Sequence, residues 1–290
     1  MNKVLLTIIT ILIPITIISF KNETNFIMEE NNLISVVYNN EVINIPINDY
    51  LIGVVAGEMP ASFNEEALKA QAIASRTYLI NKLNENNQYR MSSTTDDQVY
   101  INKIEMQEKW KDKYDYYYEK IKKAVEDTDK IVIKYKGEPI KSYYYAQSNG
   151  YTESSLNVFN NDLDYFVIKE TPYDVDNEKT ITLSLNEFKE KLNIVDKDIV
   201  INNVIRDESN RVSTISINNK TYTGIDIRKI LNLRSTDFTI NISDIVNITT
   251  KGYGHGVGMS QYGANNMAKE GYNYKEILEY YYENTYLEEI

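Results

Sequence analysis

The sequence predicts an α+β protein: mixed helices and short antiparallel strands around a cleft, preceded by one N-terminal apolar segment. Three observations carry that expectation. Helical and strand-like stretches follow one another without the regular strand–helix alternation of a parallel sheet. No segment repeats internally. Of the 290 residues, 42% are apolar and 25% charged, ordinary values for a chain that buries a core.

Composition excludes several classes of function. There are 31 Lys and Arg against 42 Asp and Glu, a net charge of −11, so the basic footprint of a nucleic-acid binder is missing. There is no Cys, which removes disulfides, Cys-ligated zinc and thiol nucleophiles. A single His rules out any mechanism that needs two imidazoles. Tyrosine is abundant, 25 residues against 7 Phe and 1 Trp. AT-rich codon usage accounts for most of it; the competing reading is that some tyrosines line a sugar-binding groove.

Val4 to Phe20 is uncharged and apolar, follows Lys3, and is about the minimum length for a membrane span. Ile18-Ser19-Phe20-Lys21 offers no small-residue cleavage site, so an uncleaved signal anchor is expected over a cleaved leader. Residues 1–21 are therefore read as anchor, 22–32 as a polar tether, and 33–290 as an extracytoplasmic domain of one or two lobes.

Ile34 to Ile47 holds two β-like runs about Asn39-Asn40, a hairpin signal. Asn64 to about Asn84 is a strong helix, rich in Ala, Leu, Lys and Gln, with Ser62 and Glu65 reading as a capping box. Lys109 to Asp127 reads as a second helical stretch. Lys130 to Tyr145 reads as a hairpin turning at Lys136-Gly137. Residues 146–178 read as ordered loop, and Ile181 to Leu192 includes a short helix. Strands at Val212–Ile217 and Thr221–Tyr222 lead into a helix at Gly224–Leu231. The chain closes with a Gly-rich loop and two helices, about 258–270 and 273–284.

Five stretches have chemical potential. Glu58 ends the small, apolar run Ile52-Gly53-Val54-Val55-Ala56-Gly57. Burial there would raise its pKa and keep it protonated near neutral pH, as a general acid requires; the alternative is a cap for the next helix. On that helix, Lys69, Ala72 and Arg76 share one face, and Gln71, Ser75 and Tyr78 another. Lys69, Arg76 and Tyr78 either frame a polar cleft or form a solvated face. Gly252 to Gly263 contains His255, Ser260 and Gln261 among five glycines, a density that signals special backbone conformations or a close approach. It lacks the Gly-Lys-Ser/Thr ending of a phosphate loop. His255 is an acid/base, a hydrogen-bonding wedge or a structural residue. Gln147 to Glu153, with Ser148 and Asn149, and Asp97-Gln98-Val99-Tyr100 are loops that either turn the chain or wall a site.

Taken together, VVAGEMPASFNEEALKAQAIASRTYLI, DQVY, SNGYTES, GIDIRKILNLRSTDFTI and GYGHGVGMSQYGANNMAKEGYNYKEILEYYY resemble, in this order, the stage II sporulation protein D family of peptidoglycan lytic transglycosylases. The resemblance runs from about Ile34 to Leu287. It implies a glycan-binding cleft and non-hydrolytic cleavage of the β-1,4 bond between N-acetylmuramic acid and N-acetylglucosamine, leaving a 1,6-anhydro end. It implies Glu58 as catalyst, with Lys69 and Arg76 at positions thought important in the family. We expect these two to bind substrate, because a cation close to Glu58 would oppose its role as acid. Tyr78, Gln98, Tyr100, Ser148, Asn149, His255, Ser260 and Gln261 complete the expected substrate-binding set. The implied setting is the septal or engulfing membrane during sporulation. The implied partners are peptide-stripped glycan strands, a cell-wall amidase and a membrane protein. A non-catalytic scaffold that stimulates an amidase is the alternative. No cofactor is expected. Some members hold zinc through a His and Cys residues near the Ser-rich loop; here that stretch reads Tyr144-Tyr145-Ala146-Gln147-Ser148-Asn149-Gly150, so no metal is expected and hydrogen bonds must shape the loop.

Overall fold

A computed structural model describes residues 33–174 and 178–290. The expected anchor and tether, residues 1–32, lie outside the described residues. Among the described residues, no helix is long and apolar enough to cross a membrane.

Strands β1 (Leu33–Tyr38) and β2 (Glu41–Pro46) form the expected hairpin. Its turn residues Asn39 and Asn40 both take positive φ, 49° and 65°, which suits the twist of a two-residue turn. Helix α1 (Ile47–Glu58) follows at once, with Tyr50 to Ala56 buried. Helix α2 (Glu65–Glu85) runs through the centre of the molecule and is buried along most of its length. Its N-cap is Asn64, whose side chain accepts from the Glu66 N–H, and not Ser62 as the capping-box pattern suggested. A turn closed by the Phe63 N–H on the Pro60 carbonyl delays the helix start, and Asn265 holds the Asn64 N–H.

Short β3 (Met91–Ser92) pairs in parallel with β1. The single helical stretch expected over Lys109–Asp127 is instead α3 (Lys103–Trp110), a 3-10 turn (Lys111–Lys113) and α4 (Tyr114–Glu126). Lys111 breaks it with φ 49°. Lys109 is turned inward there, donating to the Ala56 carbonyl at 2.8 Å.

The next hairpin, β4 (Ile131–Tyr135) and β5 (Glu138–Pro139), is shorter than expected. Its predicted far end, β6 (Tyr144–Tyr145), pairs in parallel with a strand over a hundred residues away. Then come α5 (Ser155–Phe159), β7 (Glu178–Ser184), α6 (Leu185–Leu192), β8 (Ile201–Arg206), β9 (Val212–Ile217), β10 (Lys220–Thr223), α7 (Gly224–Leu231), β11 (Phe238–Ile242) and β12 (Ile245–Lys251). The chain ends with β13 (Met259–Ser260), α8 (Gln261–Lys269), α9 (Tyr274–Tyr281) and β14 (Tyr286–Glu289). The sheets are β2-β1-β3, β10-β9-β8, β11-β12-β7, β13-β6 and β14-β4-β5. The fold is α+β with mostly antiparallel pairing.

Buried apolar side chains gather in two clusters. One surrounds α2 and takes in α1, α4, β4, α8 and α9. The other lies between α6, α7 and strands β9, β11 and β12. The Gly-rich segment before β13 lies where the two meet. Gly258, at φ +79°, brings its backbone so close to Tyr143 that an added Cβ would sit 1.9 Å from the Tyr143 carbonyl oxygen.

Candidate functional site

Glu58 is the last residue of α1, at the floor of a cleft of about 520 Å³. Two glycines bring the 97–100 segment against this helix. An added Cβ on Gly53 would meet the Tyr100 ring at 2.2 Å, and one on Gly57 the Val99 carbonyl oxygen at 2.4 Å. That approach places the Val99 N–H 2.6 Å from Glu58 Oε1.

The side chains around Glu58 are polar and mostly interlinked. Gln98 Nε2 donates to the Tyr144 hydroxyl at 3.0 Å and to the Ser75 carbonyl at 3.3 Å, while Gln98 Oε1 accepts from the Tyr50 hydroxyl at 3.2 Å. Gln261 Nε2 donates to Gln71 Oε1 at 3.3 Å, and Gln71 Nε2 to Ser75 Oγ at 3.0 Å. Burial pushes the Glu58 carboxyl up to about 7. The Val99 N–H, Tyr144, Gln261 and the Lys109 charge pull it down, but less strongly. The group is thus poised to give and take a proton near neutral pH.

Asp97, a second acid in this wall, is committed elsewhere. It accepts from the Ser92 N–H at 2.7 Å and the hydroxyls of Tyr78 and Tyr89 at 3.1 and 3.0 Å, with Lys82 3.6 Å away. Asp96 is exposed.

The expected site residues divide. Glu58, Tyr78, Gln98, His255 and Gln261 line the cleft. Lys69 and Arg76 do not. Lys69 pairs with Glu66 and Asp127, both at 3.2 Å. Arg76 is fully buried and holds the end of α4, donating to the carbonyls of Thr128 at 2.6 Å, Val125 at 3.1 Å and Ile131 at 3.3 Å. The helical period was sound, but the face turned to the cleft is that of Gln71, Ser75 and Tyr78. Tyr100 is buried against Tyr50, rings nearly parallel with centroids 5.7 Å apart, and borders a separate pocket beside Lys103. Ser260 is the N-cap of α8 and also donates to Asp174 at 2.7 Å.

Ser148 and Asn149 lie behind the cleft wall. Ser148 Oγ donates to the Tyr151 carbonyl at 3.0 Å, Asn149 Nδ2 to the Ser209 carbonyl at 2.9 Å, and Thr152 Oγ1 to the Val167 carbonyl at 2.6 Å. These hydrogen bonds shape the loop. Among the described residues, no group of three or more His, Asp or Glu side chains is arranged to hold a metal ion.

His255 is a wedge between the glycine loop and β6. Its Nδ1 accepts from the Val257 N–H at 3.0 Å, and it bonds to the backbone of Tyr144. Burial, with Arg228 and Arg211 nearby, drives its pKa down to about 3, so the imidazole is neutral at physiological pH. Its ring packs beside Phe159 and Tyr143, with centroids 5.3 and 6.3 Å away.

Sequence reasoning missed Tyr144, Tyr143, Phe159 and Arg228 in this wall. The run Tyr143-Tyr144-Tyr145 marks an aromatic cluster, and all three line the cleft, but which of them acts on Glu58 depends on the pairing of β6 with β13.

Fold and site define an α+β protein with a candidate acid–base carboxyl in an aromatic-walled cleft. Residues 38–135 match the family model described as SpoIID, stage II sporulation protein. Stage II sporulation protein D of Bacillus subtilis (strain 168) is 40% identical over 263 residues, covering 87% of this chain and 77% of that protein. Its counterpart in Bacillus amyloliquefaciens is 39% identical, covering 87% and 76%. The amidase enhancer of Bacillus subtilis (strain 168) is 31% identical over 298 residues, covering 82% of this chain and 40% of that protein. The chain belongs to the SpoIID family of sporulation proteins.

Proposed function

We propose that the cleft binds a peptidoglycan glycan strand and that Glu58 cleaves the MurNAc–GlcNAc β-1,4 bond as a lytic transglycosylase. The observation that carries this reading is a buried carboxyl with no ion-pair partner among the described residues, raised to about 7, in a cleft lined by Tyr and polar side chains. Protonated Glu58 gives its proton to the bridging oxygen as the C1–O bond breaks. The carboxylate so formed takes the proton of the muramyl C6 hydroxyl, whose oxygen attacks C1 and closes the 1,6-anhydro ring. A glycosidase that uses water needs a second carboxylate, as nucleophile or base, about 5–9.5 Å away. Asp97 is tied up in hydrogen bonds, and attack from within the same sugar removes the need for it. Dipoles of the Tyr and Gln wall would stabilise the oxocarbenium-like charge.

The test is Glu58→Gln on purified, peptide-free glycan. Anhydro-muramyl ends should fall by at least about 100-fold while strand binding persists. Release at the parental rate would remove Glu58 from the mechanism. In this reading residues 1–21 anchor the protein in the cell membrane, with the folded part outside at the sporulation septum. A cell-wall amidase supplies stripped strands, and a membrane protein completes the assembly.

A second reading is favoured by the name of one relative, the amidase enhancer. In it the cleft binds glycan without cutting, and the protein recruits and stimulates an amidase. Stimulation of an amidase by a protein that releases no anhydro ends would select this reading.

A further inference from the structure

Arg228, on α7, lines both the Glu58 cleft and an adjoining pocket of about 330 Å³. Among the described residues lining the cleft it is the one cation; the other charged side chains there are Glu58, Asp96 and Asp97. Its Nε–H reaches the Leu233 carbonyl at 3.4 Å, and among the described residues neither terminal nitrogen of the fork has a hydrogen-bond partner. Burial lowers its pKa, and the Arg211 charge nearby adds to that; among the described residues no carboxylate pairs with it. Arg206, by contrast, pairs with Asp237 at 2.8 Å.

The acids in the adjoining pocket are already engaged. Glu153 Oε1 accepts from the Ser154 N–H and from Asn157, and its Oε2 from Ser209. Asp207 Oδ1 accepts from the N–H and hydroxyl of Ser209 and from the Arg211 N–H. A half-buried guanidinium with no carboxylate partner among the described residues is costly to keep, and its planar fork matches a carboxylate better than any neutral sugar group.

We propose that Arg228 is a specificity-determining residue that pairs with a carboxylate on the bound sugar: the lactyl carboxylate of a muramyl residue freed of its peptide. This rests on the glycan reading above. An attached peptide converts that carboxylate to an uncharged amide, so Arg228 would distinguish bare strands from peptide-bearing ones.

The experiment measures binding of full-length protein carrying Glu58→Gln, which leaves strands intact. One probe is peptide-free glycan with its lactyl carboxylates free; the other is the same glycan with those groups converted to methylamides. The Glu58→Gln protein should prefer the carboxylate strand by at least about tenfold. Adding Arg228→Gln should abolish the preference, bringing affinity for the carboxylate strand down to that for the methylamide strand. Adding Arg228→Lys, which keeps the charge, should retain part of it. Equal binding of both strands by the Glu58→Gln protein, or a preference that survives in the Arg228→Gln or Arg228→Lys protein at full size, overturns the assignment alone. Failure to bind either strand overturns the glycan reading and the assignment with it.

Discussion

The backbone N–H of Val99 donates to Glu58 Oε1 at 2.6 Å, across 41 residues of chain. This contact exists because Gly57 has no side chain: an added Cβ would sit 2.4 Å from the carbonyl oxygen of the same Val99. Gly57→Ala should therefore push Val99 away and release the carboxyl. We expect a loss of about 1–3 kcal/mol in stability, the usual cost of overpacking. Product release should fall more than that cost explains at temperatures where the variant stays folded. Denaturant unfolding and strand cleavage on one preparation check both.

Glu58 makes the pH profile predictable. Its folded pKa is raised to about 7, so the protonated form needed for the first step is lost above that value, and kcat/KM should fall tenfold per pH unit on the alkaline side. Stability follows the same sign. A raised carboxyl pKa contributes stability that is full below about 4.5 and lost as pH rises through about 7. Glu58→Gln should thus gain in Tm relative to the parent between pH 5 and 8. Tyr144 lowers this pKa as a hydrogen-bond donor, so Tyr144→Phe should move the alkaline limb upward in pH. A limb that stays put in Tyr144→Phe would show that the hydroxyl does not act on the acid.

His255 is the chain's single histidine, so imidazole resonances report on it alone. With Nδ1 accepting from Val257 and a pKa near 3, it should not titrate between pH 5 and 8. An NMR titration with a midpoint near 6.5 would place it in a far wetter setting.

Arg76 and Lys69 sit on the same helix and should differ sharply. Arg76→Met takes the guanidinium donor from three backbone carbonyls, Val125 in α4, Thr128 just after it and Ile131 at the start of β4, and should cost about 3 kcal/mol or more. Lys69→Ala removes partly exposed ion pairs and should cost less than about 1 kcal/mol. Urea midpoints separate them. Neither variant, while folded, should shift the pH profile of cleavage.

Much of the fold was legible from local chemistry. The Asn39-Asn40 turn, the extent of α7 and the helices after the glycine loop all follow from signals within a few residues of each element. What stayed hidden depends on distant partners. The Tyr144-Tyr145 strand reads as part of a hairpin until Met259-Ser260 comes alongside it. Arg76 reads as a cleft residue because a polar side chain on a buried, Ala-rich helix needs a partner, and the family resemblance sets it at a position thought important. Only the carbonyls of Val125 and Thr128, at and just beyond the end of α4, give it a buried role. Glu58 was legible because the apolar run before it predicts its own desolvation. Tyr144 was not, because its role depends on a strand pairing that the local sequence does not encode.

The cleft draws Glu58 and Gln98 from beside one buried cluster and Arg228 from beside the other. A polymer lying across both would act as a splint. Heat resistance should then track occupancy, climbing logarithmically with the amount of bare strand on offer.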